Sequence, residues 1–299
     1  MHEIDFTRCP RVPGFAYNGA NGKKLAVSFE GAVWLLKFPP SAKDRPNDLS
    51  YSNSCISEYL GCLVFRHLGI PVQETRLGVY VNGQRRVVCA CRDFTVPGKR
   101  LLDFCSIKNT VVDSETGGRG TELDDVLDTI DRQQFVDPVV VRRRFWEMFV
   151  VDALIGNFDR HNGNWGFLVD ERTGRAELAP VFDCGSALLP QADESVMRAV
   201  LSNSAEMEAR IYTFPRSAFK QDGVKINYAD FISTSMDDGL GHALDRLLPL
   251  IQQLDFRRLV RETPFLSELQ ASFLSTYLDA RRGGIFRVRH RGGGRGGLR

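Results

Sequence analysis

Residues 142–168, RRRFWEMFVVDALIGNFDRHNGNWGFL, place the strongest constraint on the fold. The first part is apolar nearly all round a helical period, so it has to be buried on every side. Directly after it, Asp159, His161, Asn162 and Asn164 crowd into a short, turn-prone loop bounded by glycine and aromatic residues. A core must therefore wrap around one central helix, and the polar loop at its end must face whatever else converges there.

The order of patterns along the chain supplies the rest of the architecture. KLAVSFEGAVWLLKFP reads as a hairpin turning at Glu30-Gly31, and TRLGVYVNGQRRVVCACRDF as a second one with Asn82-Gly83 at its tip. Between them SCISEYLGCLVFRHLG carries a helical apolar stripe stopped by Gly69 and Pro71. DSETGGRGTELDD has the composition of a connector, and from about residue 121 the pattern is mostly helical. LGHALDRLLPLIQQLDF and PFLSELQASFLSTYLDARR are amphipathic helices near the end. The expected class is α+β with two lobes: a small β-rich lobe over 1–105, a larger helical lobe over 106–282, and an Arg/Gly tail over 283–299. A shared site belongs in the cleft between the lobes.

Charge narrows the partners. Seven of the 39 Lys and Arg residues lie in the final segment RRGGIFRVRHRGGGRGGLR, which has no acid, leaving 32 bases against 37 acids elsewhere. The overall +2 thus hides a mildly acidic body, which does not suit a nucleic-acid surface. Any weak RNA or anion binding is confined to the tail, whose other reading is a plain solubilising end. Seven cysteines without a CxxC pair are expected to be free thiols in a reducing compartment. MHEIDFTRCPRVPGF lacks an apolar h-region, so a cytoplasmic location without a membrane partner is expected.

The loop's spacing points to phosphoryl transfer. A carboxylate at Asp159 can take a hydroxyl proton, and the amide oxygen of Asn164 can hold a hard cation such as Mg²⁺. In APVFDCGSAL, Asp183 follows a short apolar run and would supply the charged ligand. Base, second metal ligand and first metal ligand occur in this order in protein kinases. Lys37 shares one face of its strand with Val33 and Leu35, and Glu58 lies on the next helix in line with Cys62 and Phe65. A semi-buried lysine and glutamate on adjacent elements need each other, leaving Lys37 aimed at phosphates. Upstream, YNGANGKKL offers a glycine-containing loop whose N–H groups can cover phosphates.

Together these motifs resemble the HipA-like family of serine/threonine protein kinases, in its compact stand-alone, CtkA-like type. The resemblance runs in register through GANGKK, VWLLKFP, NDLSYSNSCISEYLGCLVFRHLGIPV, CRDF, GNFDRHNGNWGFL and APVFDCG. It implies a protein-kinase-like fold with ATP in the interlobe cleft, Mg²⁺, and a protein acceptor bearing Ser or Thr. Asp159 is then the base, Asn164 and Asp183 the metal ligands, Lys37 the phosphate-binding lysine and Glu58 its partner. Gly19, Ala20, Asn21, Gly22 and Lys23 form the phosphate-covering loop, Cys91 and Arg92 the hinge beside adenine, and His161 and Asn162 flank the nucleotide. Two departures qualify the resemblance. The chain is too short for the additional N-terminal subdomain of toxin-type HipA, so an antitoxin- and DNA-linked arrangement is not implied and the cognate regulator is unidentified. GANGKK also lacks the serine that such loops autophosphorylate, which moves the expected sites to Ser186, Ser195, Ser202 and Ser204.

Other readings compete. DRHNGN followed by Asp183 also resembles phosphoinositide kinases, which brings in a lipid or small-molecule acceptor. The stretch from Asp183 to Pro215, with two arginines and five acids, disfavours anionic headgroups. A catalytically silent fold is disfavoured because every expected catalytic position holds a competent residue. Metal-dependent hydrolysis through Asp159, His161 and Asp183 lacks a second histidine at ligand spacing. Taken singly, GANGKK reads as a surface turn, Lys37 as a snorkelling strand lysine and His161 as a loop-shaping hydrogen-bonder.

Overall fold

The computed structural model describes residues 3–13, 24–39, 53–95, 97–112 and 115–286. The expected phosphate-covering loop, Gly19 to Lys23, lies outside them, as does the chain from 287 on. The first lobe is built from β1 (Lys24–Phe29), β2 (Ala32–Lys37), α1 (Ser54–His67), β3 (Thr75–Asn82) and β4 (Gln84–Arg92). The strands form one antiparallel sheet in the order β1-β2-β4-β3. Both hairpins turn where the sequence places them. Glu30 and Gly31 have φ of 49° and 74°, the two positive values that a tight hairpin with the sheet's own twist requires.

Alternation along β2 sorts its side chains onto two faces. Leu35 joins Cys55, Leu60, Cys62 and Phe65 in the main core, under α1. Trp34 and Leu36 enter a second cluster with Val27, Tyr80, Val88 and Phe6. The N-terminal residues close this second face. Phe6 N–H donates to Val79 O at 2.9 Å, and Val79 N–H to Ile4 O at 2.8 Å. Gly78 makes room for them, because a Cβ there would lie 2.5 Å from Ile4 O and 2.6 Å from the Phe6 ring. No hydrophobic period in MHEIDFTRCP announces this covering segment.

The second lobe contains β5 (Lys99–Asp103), α2 (Phe104–Val111), α3 (Leu123–Arg132), α4 (Pro138–Ile155), β6 (Gly166–Asp170) and β7 (Ala176–Leu178). After them come α5 (Glu194–Ser202), α6 (Ser204–Tyr212), the short strands β8 (Lys220–Gln221) and β9 (Val224–Lys225), and α7 (Tyr228–Thr234). The fold ends with α8 (Asp238–Gln253), α9 (Phe256–Arg261) and α10 (Glu268–Ile285). Phe145, Trp146, Phe149, Val150, Val151 and Leu154 of α4 are buried around its circumference, as its sequence demands. Pro138 starts that helix and Gly156, at φ 66°, ends it.

Two boundaries differ from those expected. β5 pairs with β6 in register from Lys99↔Asp170 to Asp103↔Gly166, so residues 99–105 are attached to the second lobe and the crossing lies near 93–98. The strand is short and half-exposed, so it shows no apolar period that would have assigned it. At the other end α10 continues through Gly283 and Gly284 to Ile285, and Ile285 and Phe286 are buried. Gly284 lets α10 approach α6, since a Cβ would lie 2.4 Å from Ile211. Residues 283–286 thus belong to the packed fold rather than to the tail. Among the described residues no helix is long and apolar enough to cross a membrane. All seven cysteines are free.

Shortening the chain after Arg282 is expected to be more damaging than shortening it after Phe286. The first cut removes two buried apolar side chains, each contributing about 1.5–3 kcal/mol. Urea unfolding of the two truncated chains should show a lower unfolding free energy for the shorter one by that amount per side chain; equal free energies would mean that residues 283–286 contribute nothing.

Candidate active site

The cleft is organised around Lys37 at the end of β2. Its Nζ lies 2.9 Å from Glu58 Oε2 on α1 and 3.0 Å from Asp183 Oδ1 in the second lobe. Burial alone would push the lysine's pKa down, but Asp183 and Glu58 outweigh it and hold the ammonium well above its ordinary value. One cation therefore joins both lobes. The backbone makes this approach possible at two glycines. A Cβ on Gly61 would meet Cys184 Cβ at 2.8 Å, and one on Gly185 would lie 3.1 Å from Glu58 Oε2. Asp183 itself has φ of 61°, a left-handed conformation that a non-glycine residue adopts at some cost, as functional sites often require.

The loop after α4 is shaped by one guanidinium. Arg160 is fully buried and bidentate to Asp152 of α4, with Nε to Oδ2 at 2.9 Å and Nη2 to Oδ1 at 3.2 Å. Its Nη1 donates to Asn164 O at 3.0 Å and to Phe182 O, and its Nη2 to Cys184 Sγ at 3.4 Å. Burial opposes its charge, but Asp152 outweighs that and holds its pKa well above the usual value. This single side chain thus fastens the helix end, the loop and the segment carrying Asp183.

Within the loop, Asn164 Nδ2 donates to Asp159 O at 2.7 Å. That bond fixes the amide so that Oδ1 remains the atom for a cation. Asp159 is half-buried. Burial raises its carboxyl pKa, His161 lowers it, Asp183 raises it and Lys225 lowers it, with a net rise. His161 is exposed, and its Nδ1 accepts from Gly163 N–H at 3.0 Å, which shapes the turn. Asn162 is buried and points away from this group, donating to Gly118 O at 2.9 Å and Gly120 O at 2.8 Å. It ties the loop to the 118–120 segment.

Cys91 is buried in β4, paired with Leu35 and Thr75. Arg92 N–H is committed to Glu74 O at 2.8 Å, its carbonyl accepts from Gln73 Nε2 at 2.9 Å, and its exposed side chain pairs with Glu74. These residues line the approach to the crossing, where Phe94 contacts Phe182 with ring centroids 5.6 Å apart. The structure thus joins Lys37 to Glu58 and Asp183 by ion pairs and Asn164 to Asp159 by a hydrogen bond, with the Asp183 charge acting on the Asp159 carboxyl.

Asp183 and Asn164 offer hard oxygen donors, one charged and one neutral, which fit Mg²⁺ rather than a softer metal. Among the described residues no three His, Cys, Asp or Glu side chains cluster into an all-protein metal cage.

Comparison with known proteins decides the family. Residues 15–239 match the model of the HipA-like C-terminal domain. The chain belongs to the HipA-like kinase family. It is 45% identical over 291 residues, 97% of this chain and 88% of the relative, to the serine/threonine-protein kinase CtkA of Helicobacter pylori. The crystal structure of that proinflammatory kinase superposes with a TM-score of 0.90, covering 97% of each chain. HipA of Shewanella oneidensis, solved with HipB and operator DNA, shares the fold at a TM-score of 0.51 and 18% identity, over 94% of this chain and 66% of its own. A protein kinase of this family uses ATP, and the bilobal α+β architecture is that of its relatives.

Asp152, Arg160 and Tyr228 also serve the site and were not singled out in the sequence. Tyr228 OH donates to Asn157 O at 2.6 Å, bracing the loop from α7. A signal existed for the first two: an aspartate inside an otherwise apolar helix needs a buried cation, and Arg160 stands in the loop that follows.

The raised carboxyl pKa of Asp159 has a consequence of definite sign. An acid whose folded pKa exceeds its unfolded value costs stability as pH rises through that interval. Asp159→Asn is therefore expected to raise the thermal midpoint at neutral pH and to lose that advantage near pH 3. Carbon-13 titration should place the Asp159 midpoint above about 3.9, the ordinary aspartate value, and Asp183→Asn should lower it. A midpoint at or below that value would contradict the burial argument.

Proposed function

We propose that this chain is an ATP- and Mg²⁺-dependent serine/threonine protein kinase that transfers the γ-phosphoryl group to hydroxyls of protein substrates, itself among them. The observation that carries the reading is the convergence of Asp159, Asn164 and Asp183 opposite the Lys37–Glu58 pair. Lys37 is held charged at the cleft, where it binds the nucleotide's phosphates. Asp159 stands beside the metal-ligand pair, where it orients the acceptor hydroxyl and takes its proton. Its raised pKa moves it toward the operating pH of a base. A Mg²⁺ ion held by Asp183 and Asn164 would neutralise charge between the β- and γ-phosphates. The role of Glu58 is to position Lys37; it is buried and reaches no other described cation within ion-pairing distance. The 45% identity to a serine/threonine-protein kinase over nearly the whole chain supports a protein acceptor over a lipid.

Incubation with γ-labelled ATP and Mg²⁺ tests this. The wild type should place label on serine or threonine, and mass spectrometry should find any self-modification among Ser186, Ser195, Ser202 and Ser204. Asp159→Ala should lose about 100-fold or more in transfer while binding Mg²⁺–ATP as the wild type does. Asp183→Ala should weaken that binding too. Wild-type transfer by Asp159→Ala would overturn the base assignment, and label on phosphoinositides but not on protein would overturn the acceptor class.

A further inference from the structure

The segment that carries Asp183 has a backbone that does not hold itself. Besides Asp183 at φ 61°, the buried Leu188 and Leu189 have φ of 60° and 52°, left-handed values uncommon outside glycine. Such backbone persists only where the surroundings impose it. At the start of the segment Arg160 does so, through Phe182 O and Cys184 Sγ. In the middle Leu188 N–H donates to Ile155 O at 2.8 Å. Both ties run to the second lobe. At its far end the segment is held by the first lobe instead, through Asn53.

Asn53 stands at the N-cap of α1, the helix that carries Glu58. In the same position of their own helices, Asp103, Asp193, Asn227 and Asp237 each accept a hydrogen bond from the first turn. The Asn53 side chain makes no such bond and reaches outward. Its Nδ2 donates to Ala192 O at 2.8 Å, and its backbone N–H to Pro190 O at 3.1 Å. The amide is turned that way by α10. Gln270 Oε1 accepts from Ser267 N–H at 2.9 Å, closing the capping box of α10, so its Nε2 is left to donate to Asn53 Oδ1 at 2.9 Å. With Oδ1 engaged, Nδ2 has to face Ala192 O. Ile56 of α1, Leu188 of the segment and Phe273 of α10 line one small cavity with these two amides, so three elements meet at the junction.

We infer that Asn53, oriented by Gln270, is a positioning residue for the metal site: it ties the segment of Asp183 to the helix of Glu58 and so sets Asp183 against Lys37. This role rests on Asp183 holding Mg²⁺, as proposed for the site. Lys37 bridges the same two elements, but its pair with Asp183 is open to solvent and screened, and an ion pair restrains distance more than direction. Mg²⁺ asks for both, because it accepts oxygen donors only in near-octahedral places at short range. The hydrogen bonds of Asn53 are directional and uncharged, so they supply the restraint that the ammonium does not.

Three variants of the full chain separate the tie from the fold. Gln270→Glu keeps the capping box, which takes glutamate as well as glutamine, but sets an oxygen where the donor to Asn53 Oδ1 stood. Asn53→Asp keeps a good N-cap for α1 but sets an oxygen against Ala192 O. Asp255→Ala, which removes the cap of α9, lowers stability alone. Hydrogen exchange without nucleotide should show residues 186–192 exchanging about tenfold faster in Asn53→Asp and Gln270→Glu, with α10 unchanged. Transfer to myelin basic protein, followed across free Mg²⁺ at saturating ATP, should need about tenfold more Mg²⁺ for half its maximum in both variants, with KM for the acceptor protein unchanged. Asp255→Ala should lower the thermal midpoint and leave both readings at wild type. Unchanged exchange in Asn53→Asp and Gln270→Glu would overturn the tie. Faster exchange with the wild-type Mg²⁺ midpoint would overturn the positioning role and leave Asn53 a structural residue. Asp183→Asn runs in parallel. If it keeps the wild-type Mg²⁺ midpoint, the metal-ligand reading fails and takes the positioning role with it, while exchange still reports whether Asn53 holds the segment.

Discussion

The buried Arg160–Asp152 pair is the interaction on which the site depends. Each ion alone would be intolerable in the core, and together they are acceptable because the guanidinium is bidentate and its remaining N–H groups reach Asn164 O, Phe182 O and Cys184 Sγ. Those acceptors belong to the loop after α4 and to the segment carrying Asp183. Removing the arginine would leave Asp152 uncompensated and would free two chain segments at once. The geometry of Asp159, Asn164 and Asp183 is therefore set by a residue that faces none of the cleft.

Coupling between the lobes is lighter and more open. Lys37 spans the cleft by ion pairs to Glu58, which is 1% exposed, and to Asp183, whose side chain is 40% exposed. The pair inside the first lobe is shielded, and the one across the cleft faces solvent and is screened. Backbone pairing adds a firmer join behind the site, where Gln73 N–H donates to Val181 O and Val181 N–H to Pro71 O. The two lobes are thus joined by backbone pairing between 71–73 and 181 and by one ammonium.

Much of the first lobe could be read from the chain alone because each signal was local. Two hairpins declared their turns, and strict alternation in AVWLLKF assigned Leu35 and Trp34 to opposite faces, where the structure puts them. The central helix declared its burial by being apolar on all sides. Residues 4–12, β5 and the end of α10 were missed or misplaced because nothing in their own sequence carries the information. Phe6 is buried only because Gly78 admits it, β5 is a strand only through β6, and Gly284 is helical packing only because Ile211 lies against it.

The sequence by itself determined which groups are candidates for the site: a carboxylate, an amide and a second carboxylate at kinase spacing, and a lysine and a glutamate that the structure shows paired. Spacing and periodicity suffice there because side-chain type and face are local properties. Tertiary structure alone decided which further groups reach the same point. Arg160 turns inward to Asp152, and Asn162 turns aside to Gly118 and Gly120. Such convergence depends on packing between elements distant in the chain, and no local pattern encodes the distance between two side chains that meet only when the core has closed.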